Sequence, residues 1–218
     1  MAIQAESGWP SGAVIAAKRV SGAGSALTMA SIATQVVLRS ASSTRRDYIH
    51  DMRLTQLYAV WNRRAMLDEI AENMGIACEE SFTTIHNHID TDAMILRKGS
   101  VAARLGETLI IPMNMRDGSL ICTGKGNPDW NFSAPHGAGR LMSRSQAMRE
   151  VTVDEFRELM AGIYTTSVGQ GTLDESPMAH KPIESILANV GDTVTVDEIV
   201  RPVYNFKASN DVPEGGRH

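Results

Sequence analysis

The 218 residues, 43% hydrophobic and 21% charged, suffice for one globular domain with a buried core and exclude a chain disordered throughout. A formal net charge of −4 argues against a uniformly basic surface, but the charge is unevenly placed: residues 93–149 carry eight Lys or Arg against three Asp or Glu, and residues 150–218 reverse the balance. Cys78 and Cys122 stand in no C-x-x-C or metal spacing, so no disulfide framework is indicated and a reducing cytoplasm fits; no strongly apolar run reaches the length of a membrane span.

Residues 1–46 form an Ala/Ser/Gly-rich lead of unassigned role, in which a helix over residues 26–38 would have no clear apolar stripe. Thr44 with Asp47 then predicts a capping box, and Tyr48, Met52, Leu57, Tyr58, Trp61, Leu67, Ile70 and Met74 recur at near-helical spacing. A long amphipathic helix should end at Gly75, with Arg45, Arg46, Arg53, Arg63 and Arg64 solvated. In Thr84-Ile-His-Asn-His-Ile-Asp90 an extended backbone would put His86 and His88 on one face, where two imidazoles can bind a metal without defining which. The letters H-N-H do not match HNH nucleases, whose three residues are spread over a ββα unit.

Short apolar runs at residues 93–97, 108–111 and 119–123, broken by Gly, Pro and Asp, predict strands. Thr152 and Glu155 cap a helix carrying Phe156, Leu159, Met160 and Ile163, and Pro182 opens another through Ile183, Ile186, Leu187 and Val190, ended by Gly191. Residues 203–207 read as a last strand and 209–218 as a loose polar tail. Between the strands and the helices, Asp174-Glu175 beside a proline turn is expected to be a cap or an exposed loop.

The stretch Ser133-Ala-Pro-His-Gly-Ala-Gly-Arg140, followed by Leu-Met-Ser-Arg144, carries the most chemistry. Gly137, Ala138 and Gly139 leave the backbone open to a ligand and let successive N–H groups turn toward an anion. Arg140 and Arg144 can add forked donors, and a neutral nitrogen of His136 can attack phosphorus. An isolated H-G-x-G is more often a glycine-rich turn beside a hydrogen-bonded histidine; here the surrounding motifs decide.

Read with His86-Asn87, Arg97-Lys98-Gly99, Ile111-Pro112 and the closing Arg201-Pro202 to Lys207, this stretch resembles the RtcB family of RNA-splicing ligases, over residues 47–208. The resemblance implies an α+β, RtcB-like fold with a mixed β-sheet core and peripheral helices, truncated on its N-terminal side. It implies that His136 attacks GTP and becomes guanylylated, with Mn²⁺ as cofactor, and that GMP then activates an RNA 3′-phosphate, formed from a 2′,3′-cyclic phosphate, for joining to a 5′-hydroxyl. Carried over position by position, His86 is a Mn²⁺ ligand and GMP contact; Asn87, Pro112, Met113, Asn114, Met115, Ser119, Gly137, Ala138, Gly139 and Lys207 complete the nucleotide site.

Two residues depart from the family's P-G-S-M loop, which here reads Pro112-Met-Asn-Met115, and His180 stands where relatives commonly carry a tyrosine near the guanine. The family's N-terminal half, with an Asp, a Cys, two further His ligands and an N-H-F motif, has no counterpart in residues 1–46, so a separate N-terminal half is an expected partner. The alternatives are a catalytically incomplete fragment or degenerate paralogue that binds GMP or an RNA phosphate, and a histidine-dependent phosphatase.

Overall fold

The computed structural model describes residues 2–3, 13–16, 43–205 and 207. The helix expected over residues 26–38, the side chain of Thr44 and the tail 209–218 lie outside them. In chain order the strands are β1 (Ala2–Ile3), β2 (Ala13–Ala16), β3 (Phe82–Ile85), β4 (Ile89–Asp90), β5 (Ile95–Leu96), β6 (Ser100–Ala102), β7 (Thr108–Asn114), β8 (Gly118–Gly124), β9 (Ser133–Pro135), β10 (Tyr164–Thr165), β11 (Val194–Val200) and β12 (Tyr204–Asn205). The helices are α1 (Ser43–Met74), α2 (Arg144–Glu150), α3 (Val153–Leu159) and α4 (Ile183–Leu187), joined by several 3₁₀ turns. The fold is α+β.

An antiparallel sheet of β7, β8 and β11, with β8 central, forms the middle of the molecule. Its period-2 alternation fills both faces. Leu109, Ile111, Leu120 and Cys122 pack with Ala134, Ala138, Ile186 and Val194 on one side, while Ile110 and Ile121 meet Phe82 and Val200 on the other. A second core gathers Met115, Ala147, Val151, Phe156, Met160 and Leu173 beneath α2 and α3. The β7–β8 turn needs glycine at position 118: its φ is +82°, and an added Cβ would lie 2.0 Å from the carbonyl oxygen of Val200.

Several expectations shift. α1 already includes Ser43, so Thr44 sits inside the helix rather than ahead of it; the helix does end at Gly75, whose φ is +63°. Its apolar residues divide: Met52, Leu67 and Ile70 face the body, but Tyr48, Leu57, Tyr58, Trp61 and Met74 are exposed. Arg63 is buried rather than solvated, because it falls on the inner face with Ala59 and Leu67. The strand expected over 93–97 shrinks to Ile95–Leu96, since Asp90 Oδ1 accepts the Ala93 N–H at 3.0 Å and Met94 turns with φ +54°. Thr152 and Glu155 form the expected capping box, but α3 stops at Leu159, short of Ile163, and Val190 belongs to a separate 3₁₀ turn that includes Gly191. Of the last strand expected over 203–207, Tyr204–Asn205 form one among the described residues, pairing in parallel with Tyr164–Thr165.

Candidate active site

His86 and His136 arrive from different strands and meet. His86 follows β3 and forms an antiparallel bridge with Val101 of β6; Val101 in turn opposes Ala134 of β9, two residues before His136. This alternation puts both histidines on the same side of the β6–β9 ribbon. Their rings stack with centroids 5.2 Å apart and planes within 15°.

His88 does not join them. Asn87 takes φ +52°, which breaks the extended run that would have placed the two histidines on one face. His88 turns instead toward Arg97, whose N–H donates to the His88 carbonyl at 2.8 Å. Burial, with the nearby Arg97 charge adding to it, pushes the His88 pKa down to about 4, so this ring is neutral near pH 7. Asn87 itself is braced, its Oδ1 accepting the Gly99 N–H at 2.6 Å.

The glycine-containing loop rests on the edge of the central sheet. Ala138 donates its N–H to the Pro112 carbonyl at 3.1 Å and is buried, so the middle one of the three N–H groups expected to face an anion is committed to the fold. Gly137 lies so close that an added Cβ would meet the Pro112 oxygen at 3.1 Å, and Gly139 takes φ +69°. Pro112 and Ser119 are cross-strand partners, and Ser119 is buried. Met113 and Met115 point into the first and second cores. Asn114 spends its side chain inside the turn: Oδ1 accepts from Arg116 N and Asp117 N, each at 2.9 Å, and Nδ2 donates to Asp117 at 2.8 Å.

Arg144 and Lys207 are anchored by a pair of carboxylates whose role the sequence reading missed, and Arg140 by backbone carbonyls. Asp174 is buried and Glu175 half-buried, so they are neither an exposed loop nor a mere cap. Arg144 pairs with Asp174 at 2.8 Å, and Arg140 donates to the Asp174 carbonyl and, at 3.1 Å, to that of Met142. Lys207 reaches Glu175 at 3.3 Å. It is brought there by β12, where Asn205 Nδ2 donates to the Met115 carbonyl at 2.7 Å and the Lys207 N–H donates to Ser167 Oγ at 2.8 Å. His180 lies beside Arg140 in an antiparallel bridge, its Nδ1 3.1 Å from the Ser176 carbonyl; burial holds its pKa below the usual histidine value. The one sequence hint of the Asp174–Glu175 anchor was an acidic pair placed where the basic loop needs a counter-charge.

Over residues 14–208 the sequence matches the tRNA-splicing ligase RtcB family. The chain belongs to the RtcB family. It is similar to the RNA-splicing ligase RtcB of Escherichia coli, 30% identical over 178 residues that make up 74% of this chain and 43% of that protein. The tRNA-splicing ligase RtcB of Aeropyrum pernix is 37% identical over 107 residues, 45% of this chain and 22% of that one. The chain thus spans less than half the length of these RtcB relatives. The RtcB match begins at residue 14, earlier than the boundary at residue 47 drawn from the motifs.

Among the described residues no group of three or more His, Cys, Asp or Glu could hold an ion, and His86 offers a single imidazole with its face against His136. Among the described residues no helix is long and apolar enough to cross a membrane.

Proposed function

We propose that this chain carries the nucleotide-accepting part of a GTP-dependent RNA ligase, with His136 as the nucleophile. The observation that carries the reading is the stack of His136 on His86 at the mouth of a glycine-containing loop. A ring nitrogen of His136 attacks the α-phosphorus of GTP, a P–N bond forms, and pyrophosphate leaves. GMP then passes from the histidine to the 3′-phosphate of an RNA end generated from a 2′,3′-cyclic phosphate. The 5′-hydroxyl of a second RNA displaces GMP and completes the phosphodiester, as in tRNA splicing or RNA repair.

His86 orients the nucleophile through ring contact, which holds the reacting nitrogen in one pose and lowers the ordering cost of attack. Arg140, Arg144 and Lys207 supply positive charge to the phosphates from positions fixed by Asp174 and Glu175. Asn87, Pro112 and Ser119 are the further proposed nucleotide contacts. Mn²⁺ is the proposed cofactor; His86 would be one ligand, and because the described residues offer no full set, no step here runs through it. GTP and RNA ends are the proposed partners, together with a polypeptide equivalent to the N-terminal half of an RtcB protein, in a cytoplasmic setting.

A second reading, a module that holds GMP or an RNA phosphate without chemistry, is favoured by one feature: Met113, Asn114 and Met115 are engaged within the fold, so the loop that should grip the nucleotide offers it few side chains. Incubation with α-labelled GTP and Mn²⁺ separates the two. Acid-labile label should appear on the protein and vanish in His136→Ala. Tight GMP binding with no label would favour the module, and label persisting in the variant would overturn the assignment of His136.

A further inference from the structure

Arg97 follows the short strand β5 and is 1% exposed, which is unusual for a guanidinium and demands partners. It has them on two sides. Nη1 donates to Asp90 Oδ2 at 3.3 Å, and the backbone N–H to the His88 carbonyl at 2.8 Å, both on the segment that follows His86. Nε donates to Ser133 Oγ at 3.0 Å and Nη2 to the Phe132 carbonyl at 3.4 Å, both on the segment that leads into His136.

The second segment is one that needs holding. Asn131 and Phe132 are successive non-glycine residues with φ of +49° and +52°, a conformation that persists only where its surroundings impose it. Ser133 Oγ passes the restraint back to the Asn131 carbonyl at 2.8 Å, and Ala103 N–H adds a second bond to the Phe132 carbonyl at 2.8 Å. Asp90, on the first segment, also takes Arg104 and the Ala93 N–H.

We infer that Arg97 is a positioning residue of this site: its planar fork ties the His86 turn to the strand entering His136 and thereby sets the stack of the two rings. The inference rests on the proposed role of those histidines. A lysine keeps the charge for Asp90 but lacks the fork, so it cannot also hold Ser133 and the Phe132 carbonyl. Arg104, which shares Asp90 and otherwise pairs with Glu107, should not affect the rings.

The full chain labelled with ¹³C at histidine Cε1 tests this by NMR without nucleotide. In the parent, His136→Ala should shift the His86 Hε1 resonance by removing the ring current of the stacked neighbour. That shift should fall by about half or more in Arg97→Lys and in Ser133→Ala, and remain in Arg104→Ala, in the manner of a double-mutant cycle. Should Arg97→Lys fail to fold, Ser133→Ala decides. An undiminished shift in Ser133→Ala, or an equal loss in Arg104→Ala, overturns the inference. Because the probe reads the rings alone, a chain that never accepts label from GTP leaves this result standing, whereas a labelled chain with rings indifferent to Ser133 overturns this inference and not the reaction.

Discussion

Leu120, central in the three-stranded sheet, is wholly buried, whereas Trp61, central in α1, keeps 66% of its surface exposed. The two residues have comparable apolar character and differ in what surrounds them. Each face of the sheet is covered, by α4 and β9 on one side and by Phe82 of β3 on the other. α1 carries apolar residues on opposite sides. Met52, Ala59, Leu67 and Ile70 follow one stripe toward the body, while Leu54, Leu57, Tyr58 and Trp61, at i, i+3, i+4 and i+7, follow another that looks outward. Polar ties hold the helix on: Gln56 donates to the Ile89 carbonyl at 2.9 Å, and Arg53 pairs with Asp92 at 3.0 Å. The lesson is that helical spacing announces a helix but does not say how many of its sides are covered.

The comparison breaks most visibly in the core. Phe156 is fully buried between α3 and the 3₁₀ turn at Gln170–Glu175, so Phe156→Ala should cost about 3–5 kcal/mol in denaturant unfolding. A cost below about 1 kcal/mol would mean that the second core is looser than its packing indicates.

Next in size is Asp90. Burial alone would raise its pKa, but the Ala93 N–H and the Arg104 and Arg97 charges outweigh it and hold the carboxyl below the usual aspartate value. Since the folded pKa is the lower one, its contribution is complete above about pH 4 and is lost as pH falls through the folded value. Asp90→Asn should therefore destabilise by about 3 kcal/mol at neutral pH, leaving Arg97 buried without its counter-charge, and should flatten the acid limb of melting temperature against pH. An acid limb as steep as the parent's would remove Asp90 from the account.

Arg63 sharpens the contrast from the helix side. It is 9% exposed, burial lowers its pKa, and among the described residues its Nε and Nη2 have no hydrogen-bond partner. Arg63→Leu should raise stability by about 1 kcal/mol, because an unsatisfied buried donor is removed and the stripe made by Ala59 and Leu67 is extended. A fall in melting temperature would show that the guanidinium has an acceptor in the folded chain.

Sequence made the local elements legible where a local signal acts alone: the Thr152–Glu155 capping box, the stop at Gly75, and the short apolar runs Thr108–Ile111 and Ser119–Thr123 bounded by turn residues. The histidine loop stood out only through the motifs around it, since an isolated H-G-x-G is more often a plain turn. The Asn87 turn was not readable, since a left-handed asparagine leaves no periodic trace, and the sharing of one face by His86 and His88 failed with it. Nor was the committed state of Met113, Asn114 and Met115, because a residue in a binding loop and one plugging a core share the same letters. The Arg97 and Asp174–Glu175 anchors depend on pairs 36 and 30 residues apart, joined only by the folded topology.

The smallest stability effect belongs to the outer stripe of α1, and there the expected change is of a different kind. Leu57 and Trp61 are 55% and 66% exposed, so replacing both with serine removes little buried area, and unfolding should move by no more than about 0.5 kcal/mol. Four apolar side chains on adjacent turns nonetheless form one contiguous surface rather than scattered residues, and such a surface binds environment-sensitive apolar dyes. Leu57→Ser with Trp61→Ser should thus lower dye fluorescence on the folded protein while leaving the melting temperature in place. If stability falls by several kcal/mol instead, the stripe is covered in solution and α1 resembles the sheet after all; if the dye signal is unchanged, the exposed apolar surface lies elsewhere.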